Sequence, residues 1–137
     1  MDLAQPAAHV LHHRPVHVEA GRDRRVTLAG HTNYQITLDM YVGSTAGVTT
    51  IEFEPGAVSD LNRLFEEIAP RHQDYRHHLR WGDDNGSSHV RAALLGPSLT
   101  VPFADGTLIL GTWQQIMLLE FDTRPRKREI VIQVVGE

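Results

Sequence analysis

Hydrophobic and polar positions alternate from Gln35 to Val42, with Ile36, Leu38, Met40 and Val42 on one face and Thr37, Asp39 and Tyr41 on the other. A period of two marks a half-buried strand. The run from Ala46 to Phe53, rich in Val, Thr and Ile, predicts a second. From Pro55 the period lengthens. Val58, Leu61, Leu64, Phe65 and Ile68 recur at helical spacing and form one apolar stripe, with Glu66 and Glu67 opposite and Pro70 as the stop. A shorter helix is predicted from Ser87 or Ser88, with Val90, Ala93 and Leu94 turned inward and Gly96-Pro97 ending it.

The last third returns to strands at Ser98–Val101, Thr107–Leu110, Gln114–Phe121 and Glu129–Val135, with Asp105-Gly106 turning between the first two. Upstream, Val16-His17-Val18 and Val26-Thr27-Leu28 are short β-prone pieces around a turn at Gly21-Arg22-Asp23. Residues 1–13 hold Pro6, small residues and His9, His12 and His13, and read as a loose arm or part of an edge strand. No linker or repeat divides the chain, so residues 1–137 are expected to form one domain. Many strands with two inserted helices predict an α+β fold, a mostly antiparallel sheet or sandwich.

Composition narrows the function. The absence of cysteine removes disulfide scaffolds, thiolate metal sites and cysteine nucleophiles. Thirteen Lys and Arg against seventeen Asp and Glu give a formal charge of -4, the wrong sign for gripping a phosphate backbone, so nucleic acid is not an expected partner. No apolar run approaches the roughly 18 residues that cross a bilayer, and the start of the chain has no basic region followed by an apolar one. The expectation is a cytoplasmic protein without a membrane partner. Nine histidines are the compositional oddity, suited to metal ligation or proton transfer.

Three stretches carry candidate chemistry. The segment from Tyr75 to His89 places His77, His78, Asp83, Asp84, Asn85 and His89 between two helical segments. Imidazoles with carboxylates suit zinc or another divalent ion, although the H-E-x-x-H spacing is missing; a solvated acidic loop with histidines at helix ends is the competing reading. Gly111-Thr112-Trp113-Gln114 could offer an indole face and an amide to a ligand, or Trp113 could simply pack the core. The cluster from Arg124 to Arg128 could grip a phosphate or form a charged rim. Gly43-Ser44-Thr45-Ala46-Gly47 lacks the Gly-Lys-Ser/Thr of a P-loop and reads as a turn.

Taken together, these stretches resemble the YjbQ family, small proteins linked to a secondary thiamine-phosphate synthase activity. The resemblance runs from about Tyr41 to Glu137 through Tyr75-x-His77, Asp84-Asn85-x-x-Ser88-His89, Leu95-Gly96-x-Ser98, Val101-Pro102 and Asp105-Gly106-x-Leu108-x-Leu110-Gly111-Thr112-Trp113-Gln114. It closes on Glu120-Phe121-Asp122, Pro125-Arg126-x-Arg128 and Gly136-Glu137.

The resemblance implies a homotrimer with pockets near subunit contacts and a histidine-containing site for a divalent metal, zinc or magnesium. It places His77 and His89 as metal ligands, Glu52, Asp84 and Asn85 as catalytic groups, and Trp113, Gln114, Arg126 and Arg128 against a small, phosphorylated substrate. The family's third histidine falls on Gly43. His31-Thr32-Asn33 looks similar alone, but that register would put Met40 where the glutamate belongs. Two functions follow as expectations. One is a transferase-like enzyme whose thiamine-phosphate activity is weak or lost; the other is a non-catalytic paralogue binding a ligand or metal. Convergence of His77, His89 and Glu52 near Trp113 and Gln114 is expected in either case.

Overall fold

The structure is a computed structural model that describes residues 9–12, 17–20, 34–39, 43–104 and 107–135. Its strands are β1 (His9–His12), β2 (His17–Ala20), β3 (Tyr34–Asp39), β4 (Ala46–Ile51), β5 (Ser98–Ala104), β6 (Thr107–Leu108), β7 (Gln115–Glu120) and β8 (Gln133–Val135). Between β4 and β5 come α1 (Pro55–Ile68), α2 (Arg76–Trp81) and α3 (Gly86–Leu95). One sheet has the order β2-β1-β7-β4 and the other β6-β5-β3-β8. Pairing is antiparallel except between β1 and β7. The α+β architecture read from the sequence is the one observed.

The alternation of β7 explains the layering. Leu118 packs with Ala46, Val48 and Phe103, joining the two sheets. Met117 and Leu119 point the other way, into a core with Val58 and Phe65 of α1, Ala92 of α3 and Phe121. A strand buried on both faces reads as a continuous apolar run, and Ile116 to Leu119 is one. On the helix side α3 approaches β4 so closely that a Cβ on Gly47 would lie 2.8 Å from Leu95 Cδ2 and 2.9 Å from the Gly96 carbonyl oxygen. That oxygen accepts a hydrogen bond from the Val48 amide at 3.2 Å.

α1 starts where expected. Pro55 needs no amide partner, and the Glu54 carboxylate accepts the amides of Gly56 and Ala57. Val58 and Phe65 are buried, while Leu64 and Ile68 stay about half exposed.

Four expectations need correction. His9–His12 is a strand, as one of the two readings had it, but neither a loose arm nor an edge: it lies between β2 and β7. The stretch after Tyr75 contains the unforeseen helix α2, which ends on Gly82 in the left-handed region (φ 63°). α3 does not turn Val90, Ala93 and Leu94 inward: all three are exposed, and Gly86, Ser87, Ser88, Arg91 and Ala92 are buried instead. Its inward face is polar but satisfied. Ser88 Oγ donates to the Phe121 carbonyl, and Arg91 donates to the Ala69 carbonyl through Nε (2.9 Å) and Nη2 (2.7 Å) while pairing with Glu66. Finally, the strands expected over Thr107–Leu110 and Glu129–Val135 shorten to Thr107–Leu108 and Gln133–Val135. The β-prone piece Val26-Thr27-Leu28, the turns at 21–23 and 105–106, and residues 31–33, 40–42 and 136–137 lie outside the described residues.

Candidate functional site

The β4–β7 ladder runs from Ala46 opposite Glu120 to Ile51 opposite Gln115. At its first end the chain segments 43–45 and 122–129 and the start of α3 border an open cavity of about 480 Å³. Gly43, Ser44, Thr45, Asn85, His89, Asp122 and residues 126–129 line it. The size suits a small metabolite.

Asn85 and His89 reach the cavity because α2 and α3 meet at a tight joint. A Cβ on Gly86 would fall 2.5 Å from Tyr75 Cβ, so only glycine fits there. Asn85 precedes α3 but does not cap it. With its amide oriented by its neighbours, the Asn85 nitrogen sits 2.9 Å from Asp83 Oδ1 and 3.1 Å from His77 Nε2. His78 takes over the capping task, its Nε2 accepting the Gly86 amide at 3.1 Å while its ring packs edge-on against Tyr75. One side of the competing reading, histidines at helix ends, therefore applies to His78.

The rings of His77 and His89 lie 4.4 Å apart, tilted by 51°. Asp83 Oδ1 is 3.5 Å from His77 Nε2. Asp84 turns from this pair toward His78, its Oδ1 3.8 Å from His78 Nδ1, with its side chain 88% exposed and its backbone left-handed (φ 53°). Among the described residues no three His, Asp or Glu side chains are grouped to hold one metal ion. A divalent ion at the histidine pair would need further ligands from water or another molecule.

The floor of the cavity is ionic. Arg128 grips both oxygens of Glu120 through Nε and Nη2, and Nη2 also donates to Thr45 Oγ1 at 3.0 Å. Asp122 accepts from Thr45 Oγ1 (3.1 Å), Arg126 Nε (3.0 Å) and the Arg124 amide (3.2 Å). Burial pushes the Glu120 carboxyl up to about 7, against the opposing pull of the Asp122 and Phe121 amides. Burial pushes Asp122 up as well. There the Arg124 amide, the Thr45 hydroxyl and Arg126 together outweigh it and hold the carboxyl below its ordinary range. Burial also lowers Arg128. The sequence reading had Glu120-Phe121-Asp122 as a motif of the resemblance but gave neither carboxylate a place in the site, although both directly extend a run buried on both faces.

Glu52, Trp113 and Gln114 sit at the other end of the ladder. Five residue steps, from Ala46 to Ile51, separate the ends, roughly 17 Å at about 3.3 Å per residue. Trp113 is 69% exposed, so core packing does not explain it. Gln114 Oε1 accepts the Gly111 amide and its Nε2 donates to Thr50 Oγ1. Within one chain, then, His77, Asn85 and His89 converge with Arg126 and Arg128, whereas Glu52, Trp113 and Gln114 do not join them.

Fold and cavity together define a layered α+β protein with a polar, partly ionic pocket at one end of its inner sheet. Residues 30–137 match the sequence profile of the family described as UPF0047 protein YjbQ-like, and the chain belongs to that family. A UPF0047 protein of Archaeoglobus fulgidus is 37% identical over 92 residues, covering 67% of this chain and 71% of its own length. One from Methanothermobacter thermautotrophicus is 40% identical over 94 residues, covering 69% of this chain and 64% of its own length. Among solved structures, a YbjQ-like protein of unknown function from Sulfolobus solfataricus superposes with a TM-score of 0.68 at 30% identity, over 77% of this chain and 74% of that one. A conserved hypothetical protein from Thermus thermophilus gives 0.67 at 35% identity, over 79% and 82%. Among the described residues no helix is long and apolar enough to cross a membrane.

Proposed function

We propose that the chain binds a small phosphorylated molecule in the cavity between residues 43–45 and 126–129. The observation that carries this reading is the lining itself: three consecutive cations, Arg126, Lys127 and Arg128, face the Gly43-Ser44-Thr45 turn across a space of metabolite size. Arg126 and Lys127 are exposed and meet the phosphate, while Arg128, clamped by Glu120, shapes the floor. Asn85 and His89 meet the remainder of the ligand, with His77 behind His89 as the partner of a proton-transferring imidazole.

In the enzymatic form of this reading the protein is a transferase related to thiamine-phosphate synthase. It would join a pyrimidine pyrophosphate to a thiazole phosphate and release pyrophosphate. Gly43 lines the cavity and brings no side chain to it, so this activity is weak or absent. The same observation favours the second reading, a non-catalytic paralogue that keeps the pocket. Glu52, Trp113 and Gln114 serve the site from a neighbouring subunit of a homotrimer. The exposed Trp113 and Ile109 (60%) support such a contact.

Calorimetric titration with inorganic phosphate tests the binding claim. Saturable binding that weakens at least several-fold in Arg126→Gln supports it, and no binding refutes it. Thiamine-phosphate formation from the two precursors should be barely detectable in the native chain and rise in Gly43→His. Light scattering should give three times the chain mass of 15.4 kDa, and a concentration-independent monomer would refute the trimer.

A further inference from the structure

The charges that line the cavity fall into pairs, with two left over. Arg126 Nε is bound to Asp122 at 3.0 Å, and Arg128 holds both oxygens of Glu120. Each arginine therefore reaches the cavity with a buried carboxylate already balancing its charge. Lys127 and Glu129 differ. Both are exposed and both line the same cavity, and among the described residues neither makes an ion pair. The other walls bring no fixed charge: residues 43–45 are Gly, Ser and Thr, and the start of α3 brings Asn85 and the imidazole of His89. One ammonium and one carboxylate are what the cavity leaves uncompensated.

These two groups sit two positions apart, so their backbones are at most about 7 Å from each other. A plain phosphate drawn to Lys127 and Arg126 therefore enters within reach of the Glu129 carboxylate, which repels it. A ligand that carries an ammonium a few bonds from its phosphate meets the opposite situation. Its anionic end satisfies Lys127 while its cationic end satisfies Glu129, and the repulsive contact becomes an attractive one. The cavity is open, so water and salt screen both contacts and keep the effect modest.

Building on the phosphate-binding reading, on which this step rests, we propose that the ligand is a phosphorylated amine: its phosphate lies on Lys127 and Arg126, and its ammonium on the Glu129 carboxylate. Glu129 is then a specificity determinant. It selects such zwitterions by disfavouring phosphate esters that have no cation to offer it.

Two isosteric probes isolate the ammonium: O-phosphoethanolamine, and propyl phosphate, which has a methyl group in its place. Calorimetry on the full chain is run at low salt and about pH 8, where both phosphates are dianions. The wild type should bind O-phosphoethanolamine about fivefold more tightly than propyl phosphate, the worth of one screened ion pair. Glu129→Gln should bind the two probes equally, and propyl phosphate more tightly than the wild type does. Lys127→Gln should weaken both probes several-fold. Both side chains are exposed, so these variants keep the fold. Equal binding of the two probes by the wild type, a preference that survives in Glu129→Gln, or no loss in Lys127→Gln overturns the proposal while leaving the anion site standing. Binding of neither probe overturns both.

Discussion

The two ends of the β4–β7 ladder are built by the same pair of strands and differ in almost everything else. At the Ala46–Glu120 end, Thr45, Glu120, Asp122 and Arg128 are nearly sealed from water and hold one another in place. At the Ile51–Gln115 end, Glu52, Trp113 and Gln114 stand in solvent, tied down by the two hydrogen bonds of Gln114. Charged groups at the first end are costly to bury and survive because each has a partner. The second end carries no such debt, and its exposed indole suits contact with another surface.

Breaking the buried end should have the largest effect. Arg128→Ala leaves Glu120 without its guanidinium and should destabilise the fold by about 3–5 kcal/mol in urea unfolding. Gln114→Ala, at the open end, should cost about 1 kcal/mol. Equal costs would erase the contrast between the ends.

The pH profile sharpens it. Asp122 is held below its ordinary 3.8, so its contribution is present above that value and is lost as pH falls through the lower folded one. Glu120 is raised, so the folded state holds its proton more tightly than the unfolded one. Its contribution is full below 4.5 and is lost as pH rises toward about 7. Urea midpoints of Glu120→Gln minus wild type should therefore be flat below about 4.5 and climb between there and about 7. A flat difference throughout would show that Arg128 holds Glu120 at an ordinary value. The smallest effect concerns the rim. Arg126 is half exposed, so Arg126→Gln should weaken phosphate binding about tenfold, roughly 1.4 kcal/mol, with little change in stability.

The sequence made α1 and β7 readable because their burial follows the simple rule of apolar residues inward, as a stripe of period 3.6 in α1 and an unbroken apolar run in β7. α3 broke that rule. Its Ser88 and Arg91 are buried because carbonyls of Phe121 and Ala69 wait for them, partners 33 and 22 residues away that no local pattern reveals. α2 was missed since Arg76–Trp81 buries no residue and shows no apolar stripe. Of the candidate site, His77, Asn85 and His89 were legible as a group because one joint between two helices brings them together. Asp83, not Asp84, faces His77, a choice fixed by the left-handed turn at Asp84. Arg128 was read as a phosphate ligand or part of a charged rim from its cluster, and as a substrate contact from the family motif; its clamp on Glu120 depends on the chain doubling back after β7.

The account turns on where a small anion binds. Amide NMR spectra recorded during a phosphate titration would locate it directly. Saturable shifts should gather at Gly43, Ser44, Thr45, His89 and residues 126–129, with Gly111 to Gln114 unmoved. Shifts centred on Trp113 and Gln114, or no saturable shift anywhere, would contradict it.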